Sequence, residues 1–260
     1  MLTFFPWPGE RQGHRGSGQA TTIAFSVPEA SVRFWIDHLR ARGVHIDRIT
    51  KRFDEEVLSF SDPDGLHLEL VGDCRGAGYA ARVHGPLPPE HAICGLHSVT
   101  LTESRWEATS ELLTETLSFR LVAEEENRIR FETGVRGPGT RVDVLRAPGK
   151  PAGRVAVGTV HHVAWRTLTD EAQRAWRQRI LANGLDSTPV IDRTYFRSIY
   201  FREPGGVLFE IATDPPGFGV DEQPEQLGEH LMLPKWLEPK REWLEKTLPQ
   251  LVPAGFGRAA

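Results

Sequence analysis

The chain contains an internal repeat, and this repeat limits the possible folds more than any other feature of the sequence. Residues 53–71 read FDEEVLSFSDPDGLHLELV, and residues 194–212 read TYFRSIYFREPGGVLFEIA. Both segments predict strand, turn and strand, because each turn has the pattern acid-Pro-x-Gly, in which proline presets φ and glycine accepts a positive φ. Four residues after each closing glycine stands a glutamate, Glu69 or Glu210, between apolar neighbours. The likeness indicates a duplicated unit.

The repeat extends upstream of these segments and recurs once more. Residues 20–25 (ATTIAF) resemble residues 160–165 (VHHVAW), and an amphipathic helix is predicted after each. Another copy starts at Gly95 with GLHSVTL and continues with a predicted helix over 106–117 and short strands. Each copy therefore predicts the order strand–helix–strand–strand–strand. The copies span residues 19–73, 95–147 and 158–214.

Repeated βαβββ units predict an α+β fold in which the units pair into curved half-barrel sheets with the helices outside. Pairing is expected because a single unit leaves an open strand edge and half a core. Residues 1–8 are interpreted as the remnant of a further unit, with residues 2–5 as its last strand. Residues 74–94, which are rich in proline, predict a linker. Residues 215–260 predict a tail with a helix over 239–248.

Composition argues against several classes of partner. The 260 residues have a formal net charge of −4, and no apolar run is long enough to cross a bilayer. We therefore expect neither a nucleic-acid nor a membrane partner. Cys74 and Cys94 are too few for a disulfide framework, and the N-terminus lacks the residue order of a secretory signal. These features predict a cytoplasmic protein.

His162 and Glu210 are the residues that best predict chemistry. Glu210 stands on a predicted strand between Phe209 and Ile211. An unpaired buried carboxylate costs free energy, and a metal ion is one of the partners that can offset that cost. Two histidines and one carboxylate form the facial triad that suits non-haem Fe(II) or Mn(II) and leaves positions open for oxygen. On the first strand, alternation predicts that His161 and His162 take opposite faces.

The other copies act as an internal control for these two residues. The positions that correspond to His162 hold Thr22 and Ser98, and those that correspond to Glu210 hold Glu69 and Asp143. Only the last copy combines an imidazole with a carboxylate, so a metal site is predicted in residues 158–214 alone. The recurring acid also leaves open a structural role for Glu210 as one half of an ion pair. A buried histidine bonded to a backbone group is the structural alternative for His162.

Several long segments together resemble a known family. They are GTVHHVAW, IDRTYFRSIYFREPGGVLFEIATDPPGF, the tail LGEHLMLPKWLEPKREWLEKTLPQL, and the opening LTFFPWPG followed by GSGQATTIAFSVPE. In these segments the chain resembles the ring-cleaving extradiol dioxygenases, of hydroquinone and catechol type, in the vicinal oxygen chelate (glyoxalase/bleomycin resistance/dioxygenase) superfamily. The resemblance implies that fold, a small aromatic substrate, O2 as co-substrate, and Fe(II) or alternatively Mn(II) as cofactor.

The resemblance also implies roles for individual residues. His162 and Glu210 match family metal ligands, while His161, Arg193 and Tyr200 match polar residues that line the family's site and take part in catalysis. A neighbouring His or Tyr would handle protons, and Arg193 would stabilise developing negative charge. A structural arginine is the alternative for Arg193, because Arg52 occupies the same place in an earlier unit.

One departure from the family pattern leaves the activity open. Family members begin with a whole unit whose His-His-x-Thr motif supplies the third ligand, and no residue here matches it. His97 falls at the position of His161, not at that of His162. We therefore expect weak iron binding. A glyoxalase-like isomerase or thiol transferase, a metal-free binding protein and an inactive truncated member remain alternatives, and a homo-oligomer is compatible with each.

Overall fold

Three strand–helix–strand–strand–strand units follow one another in the computed structural model, which describes residues 1–74 and 87–248. The first unit comprises β1 (Gln19–Val27), α1 (Val32–Ala41), β2 (Ile46–Arg52), β3 (Glu55–Ser61) and β4 (His67–Gly72). The second comprises β5 (Gly95–Glu103), α2 (Trp106–Glu111), β6 (Arg120–Glu125), β7 (Arg128–Glu132) and β8 (Arg141–Arg146). The third comprises β9 (Val163–Thr167), α3 (Asp170–Ala182), β10 (Ile191–Asp192), β11 (Arg197–Arg202) and β12 (Leu208–Thr213).

The first two units share one eight-stranded sheet with the strand order β2-β3-β4-β1-β5-β8-β7-β6. Their first strands, β1 and β5, pair antiparallel at its centre. Within each unit the first strand pairs parallel with the last, β1 with β4 and β5 with β8. Pairing through the first strands thus joins two half-barrels into one curved sheet, as the repeat predicted. The α+β vicinal oxygen chelate fold is confirmed.

The third unit forms its own four-stranded sheet with the order β10-β11-β12-β9. Here β9 pairs parallel with β12 on one side. Its other side has no strand neighbour among residues 1–74 and 87–248, whereas β1 and β5 are paired on both sides. The helix α3 begins at a capping hydroxyl, since Thr169 Oγ1 accepts a hydrogen bond of 3.1 Å from the Ala172 amide.

Apolar residues of the second and third units form one continuous core. Leu113, Ile129 and Phe131 from the eight-stranded sheet and its helix lie in the same cluster as Ile199 and Phe209 from the four-stranded sheet. The first unit has a separate core around α1. The shared core joins the two sheets, because burying these side chains removes apolar surface from water at a gain of roughly 25 cal/mol per Å².

A buried acidic side chain lies where the two sheets meet. Glu103 ends β5 and is completely buried, and the backbone of Gly205 lies against its carboxyl group. A Cβ atom at Gly205 would stand only 2.0 Å from Glu103 Oε2, so this close approach requires glycine. Burial, reinforced by the charge of the nearby Glu203, raises the pKa of Glu103 to about 8. Glu103 therefore holds its proton at neutral pH.

The structure differs from the sequence-based expectations at the ends of the units. Residues 2–5, expected as a strand, form none, and Phe5 packs against the rings of His161 and His162. The helix expected over 106–117 is α2 followed by a π-helical turn, Leu112–Thr116. The tail helix α4 spans Arg241–Thr247 after a 3-10 turn. Of the expected linker, residues 75–86 lie outside the described residues.

The two cysteines are bonded to each other. Cys74 and Cys94 form a disulfide that closes 20 residues of sequence across the expected linker. The low cysteine count excluded a framework of several bridges, but it did not reveal this single one. Of the helices in residues 1–74 and 87–248, none has both the length and the apolar character needed to span a membrane.

Candidate functional site

The strand register of the third unit brings the predicted site residues together. Glu210 on β12 lies opposite Ala164 on β9 and opposite Tyr200 on β11. His162 directly precedes β9, and its imidazole reaches the side of the sheet on which Glu210 lies. Strand pairing thus converts a separation of many residues in sequence into direct contact.

His162 and Glu210 contact each other through the atoms that bind metals. His162 Nε2 stands 2.8 Å from Glu210 Oε2, with Glu210 almost fully buried and His162 partly exposed. An imidazole nitrogen and a carboxylate oxygen facing one point fit a divalent ion of the Fe(II) or Mn(II) type, which accepts mixed nitrogen and oxygen ligands. The pair would fill two of the three protein positions of a facial triad. The roles of these two residues remain predictions.

The second oxygen of Glu210 is held by two hydroxyl groups. Oε1 accepts a hydrogen bond of 2.9 Å from Tyr200 Oη and a short one from Ser198 Oγ. Burial alone would raise the pKa of Glu210, but the hydrogen bonds from His162, Ser198 and Tyr200 outweigh it and lower that pKa. Glu210 is therefore an ionised carboxylate whose Oε2 is directed at His162.

Arg193 reaches Glu210 only through Tyr200. Its Nη2 donates to Tyr200 Oη at 3.2 Å, and its guanidinium carbon lies 5.4 Å from the centre of the tyrosine ring. Arg52, at the corresponding place in the first unit, instead donates both terminal nitrogens to Glu69, at 3.1 and 2.6 Å. The two arginines thus differ in their contacts although they correspond in sequence. Arg193 is exposed and could meet a substrate, which Arg52 could not.

His161 and His162 lie on the same side, contrary to the expectation from strand alternation. Their Nδ1 atoms are 2.8 Å apart. The reason is that β9 begins only at Val163, so the histidines lie in extended chain before the strand, where alternation is not enforced. The rings of Phe5 and Trp7 pack against His161 at centroid distances of 5.5 and 5.9 Å.

An open cleft adjoins His161. It has a volume of about 410 Å³ and is lined by Trp7, Val160, His161, Arg202 and Gly206, among others. Burial and the neighbouring His162 and Arg202 lower the pKa of His161, which favours the neutral imidazole. A neutral imidazole can accept a proton, so the cleft places a base beside the ring of Trp7.

The carboxylates that correspond to Glu210 in the other units are neutralised by arginine. Asp143 accepts hydrogen bonds from Arg130 at 2.7 and 3.0 Å and from Arg128 at 3.2 Å. Glu69 is held by Arg52, as described above. Both of these carboxylates therefore already have a positive counter-charge, whereas Glu210 faces an imidazole. This contrast agrees with a metal site in the third unit rather than in the first two.

One further group of side chains could hold a metal ion. Ligand atoms of Glu55, Asp73 and His97 lie within 4.8 Å of one another. However, Arg141 Nη1 stands among them, 2.7 Å from Glu55 Oε1, 2.9 Å from Asp73 Oδ2 and 2.7 Å from His97 Nε2. The guanidinium already supplies the positive charge that a metal would bring. We therefore interpret this cluster as a buried ion-pair network.

Ser198 is the site residue that the sequence did not single out. It is a small polar residue in the strand segment RSIYFR, completely buried, two positions before Tyr200. Period-two alternation along β11 would have placed it on the face of Tyr200 once the site was known. Nothing about serine in isolation distinguishes it from the many serines of the chain.

Comparisons with known proteins identify the family of this chain. A family model described as the glyoxalase/bleomycin resistance protein/dioxygenase superfamily matches residues 95–211. MhqO of Bacillus subtilis (strain 168), assigned as a ring-cleaving dioxygenase, is 41% identical over 250 residues, which are 95% of this chain and 78% of MhqO. The chain belongs to this superfamily.

One further relative and one solved structure are also informative. A chlorohydroquinone/hydroquinone 1,2-dioxygenase of Sphingobium indicum is 31% identical over 242 residues, which are 91% of this chain and 74% of the relative. A crystal structure of a protein from Bacillus subtilis, assigned as a dioxygenase, superposes with a TM-score of 0.89 at 41% identity. It covers 95% of this chain, and the match spans 78% of the relative. The predicted family is confirmed.

Proposed function

We propose that this protein is a metal-dependent ring-cleaving dioxygenase that acts on hydroquinone or catechol-like aromatics with O2. The observation that carries the proposal is the contact of His162 Nε2 with Glu210 Oε2 at 2.8 Å, in a unit whose acid has no arginine partner among the described residues. The proposal is supported by relatives that are named as ring-cleaving dioxygenases, one of them for chlorohydroquinone and hydroquinone.

The cofactor would be Fe(II), or alternatively Mn(II), held by His162 and Glu210. When bound, such an ion supplies Lewis acidity that lowers the pKa of a phenol and brings it together with O2. Two protein ligands leave most coordination positions of the ion to water, so we expect the ion to bind more weakly than at a complete facial triad.

The remaining site residues would handle protons and charge. His161, whose pKa is lowered, can accept the proton of a phenol that enters the adjoining cleft. Tyr200 Oη donates a hydrogen bond to Glu210 Oε1, and this hydroxyl oxygen can give up and take back a proton during the reaction. Arg193, exposed and bonded to Tyr200, can stabilise negative charge on an oxygen of the substrate.

The test compares metal content and oxygen consumption in wild type, His162→Ala and Glu210→Gln. With Fe(II) or Mn(II) present in excess throughout, wild type is expected to bind the metal and to consume O2 with hydroquinone, and both variants are expected to lose each property. Glu69→Gln is the matched control, because Glu69 occupies the place of Glu210 in the first unit but binds Arg52. It should retain wild-type metal content.

Other outcomes would favour the alternative functions. Metal retained by His162 and Glu210 without O2 uptake would favour an isomerase or thiol transferase. Failure of the wild-type protein to bind Fe(II) or Mn(II) even when the metal is in excess would contradict the proposal and favour a metal-free binding protein. We also propose a cytoplasmic location, which fractionation of the native host would test.

A further inference from the structure

We propose that Ser198 is a positioning residue for Glu210: its hydroxyl fixes the carboxylate so that Oε2 stays directed at His162. This inference rests on the proposed function, since it assigns Glu210 as a metal ligand. Ser198 itself would touch neither metal nor substrate, and its effect would pass through Glu210.

The strand register places Ser198 so close to Glu210 that only a short side chain can donate a hydrogen bond to the carboxylate. Ser198 pairs with Ala212 on β12, and Tyr200 pairs with Glu210, so Ser198 is the diagonal neighbour of Glu210 on the same face. Its Oγ donates to Glu210 Oε1 and not to Oε2. Both hydrogen bonds from the β11 hydroxyls therefore fall on one oxygen, which leaves the other for His162.

The hydroxyl groups of Ser198 and Tyr200 differ in burial, so they can have different roles. Ser198 is completely buried, whereas Tyr200 is only partly buried and is bonded to the exposed Arg193. Tyr200 can turn its hydroxyl to a substrate during a reaction. Ser198 has no access to solvent or substrate, so its hydrogen bond can hold Glu210 throughout.

The repeat shows what replaces this serine where no metal is proposed. The strand register places Val57 and Arg128 at the position of Ser198 in the first and second units. In those units the carboxylate is held by guanidinium groups, Arg52 on Glu69 and Arg130 on Asp143. A guanidinium neutralises the carboxylate, whereas a hydroxyl orients it and leaves its negative charge available to a cation. Ser198 thus orients the acid without consuming its charge.

The experiment measures Mn(II) affinity from the electron paramagnetic resonance signal of free Mn(II) during titration. Ser198→Ala should bind Mn(II) about 10- to 100-fold more weakly than wild type, as is usual when the partner of a metal ligand is removed. Ser198→Thr keeps the hydroxyl and should recover most of the affinity. Ser198→Cys is nearly isosteric but a weak donor, so it should resemble the alanine variant even if alanine disturbs the packing.

The matched control is Ser59→Ala. Ser59 Oγ lies 3.4 Å from Glu69 Oε1. Like Ser198, Ser59 is on a strand that has a neighbouring strand on each side, but the carboxylate that it contacts is bound to Arg52. This variant should keep wild-type Mn(II) affinity. Thermal unfolding of every variant shows whether a lost affinity reflects a lost fold.

The failure of this inference is distinguishable from the failure of the proposed function. If Glu210→Gln abolishes Mn(II) binding while Ser198→Ala and Ser198→Cys stay within about twofold of wild type, the role of Ser198 is overturned and the metal site stands. If wild type and Glu210→Gln bind Mn(II) equally, the metal site is overturned and the role of Ser198 falls with it.

Discussion

Tyr200 and Glu210 face each other across β11 and β12, and the tyrosine hydroxyl donates to Glu210 Oε1 at 2.9 Å. The same hydroxyl accepts a hydrogen bond from Arg193. Burial raises the pKa of Tyr200, so the phenol stays protonated at neutral pH. A protonated phenol that touches both a proposed metal ligand and an exposed arginine is well placed to deliver a proton.

We expect Tyr200→Phe to reduce turnover far more than metal affinity. The variant removes one donor to Oε1, but Ser198 still holds that oxygen. Loss of a positioned proton donor typically lowers kcat by about 10²- to 10⁴-fold. Oxygen uptake with hydroquinone, combined with Mn(II) titration, measures both effects. Tyr195→Phe is the control, because Tyr195 bonds to Asp221 away from Glu210. Equal losses of affinity and turnover would contradict a role in proton transfer.

Glu103→Gln should remove a pH dependence of stability. The pKa of Glu103 is raised to about 8 in the folded protein, above the value near 4.5 of an unfolded glutamate. The folded state therefore binds the extra proton, and the free energy of unfolding falls as pH rises between these values. The slope is at most about 1.4 kcal/mol per pH unit. Urea denaturation from pH 5 to 9 should show a flatter profile for the glutamine variant, and parallel profiles would contradict the assignment.

Gly205→Ala should destabilise the contact between the two sheets. The added Cβ would meet the carboxyl group of the buried Glu103, with Oε2 at 2.0 Å and Cδ at 2.4 Å. Overpacking of this kind costs about 1–3 kcal/mol. Gly219→Ala provides the comparison, since no heavy atom lies within 4 Å of a Cβ placed there. Urea midpoints of the two variants should differ, and similar midpoints would show that the junction can relax.

Arg130→Met should cause a large loss of stability. Arg130 Nη1 donates to Glu55 Oε2 at 2.7 Å, and its other nitrogens hold Asp143. Removing one partner of a buried network leaves uncompensated charge and costs about 3–5 kcal/mol. Arg33→Met, which breaks an exposed pair with Asp37, should cost less than about 1 kcal/mol. Chemical denaturation compares the stabilities of the two variants. A small loss of stability in Arg130→Met would mean that Glu55 and Asp143 become protonated when their partner is removed.

The sequence predicted the units because they depend on short-range patterns, and it singled out His162 and Glu210 through the comparison of the copies and the family resemblance. Strand periodicity, turn residues and helix caps repeat at fixed intervals, so the three copies could be aligned without a structure. That alignment placed His162 and Glu210 in the same unit, and the strand register then brings them into contact. The resemblance to dioxygenases was confirmed by the relatives.

The sequence did not predict contacts between residues far apart in the chain. Arg141 meets Glu55, Asp73 and His97 because β1 and β5 pair at the sheet centre, and no local pattern indicates that register. The burial of Glu103 depends on the packing of another unit against the end of β5. The contact between His161 and His162 depends on where β9 begins, and strand ends are the least predictable part of an element.

The arginines that neutralise Glu69 and Asp143 make the eight-stranded sheet independent of metal supply. Its buried acids carry their counter-charges on the same polypeptide, so this half of the molecule can mature during synthesis without waiting for an ion to be delivered. A chelator or a metal-starved cell would then affect the metal-dependent activity that we propose for the third unit, while leaving most of the protein intact. The chain would persist as a folded apoprotein, ready for reactivation when metal returns.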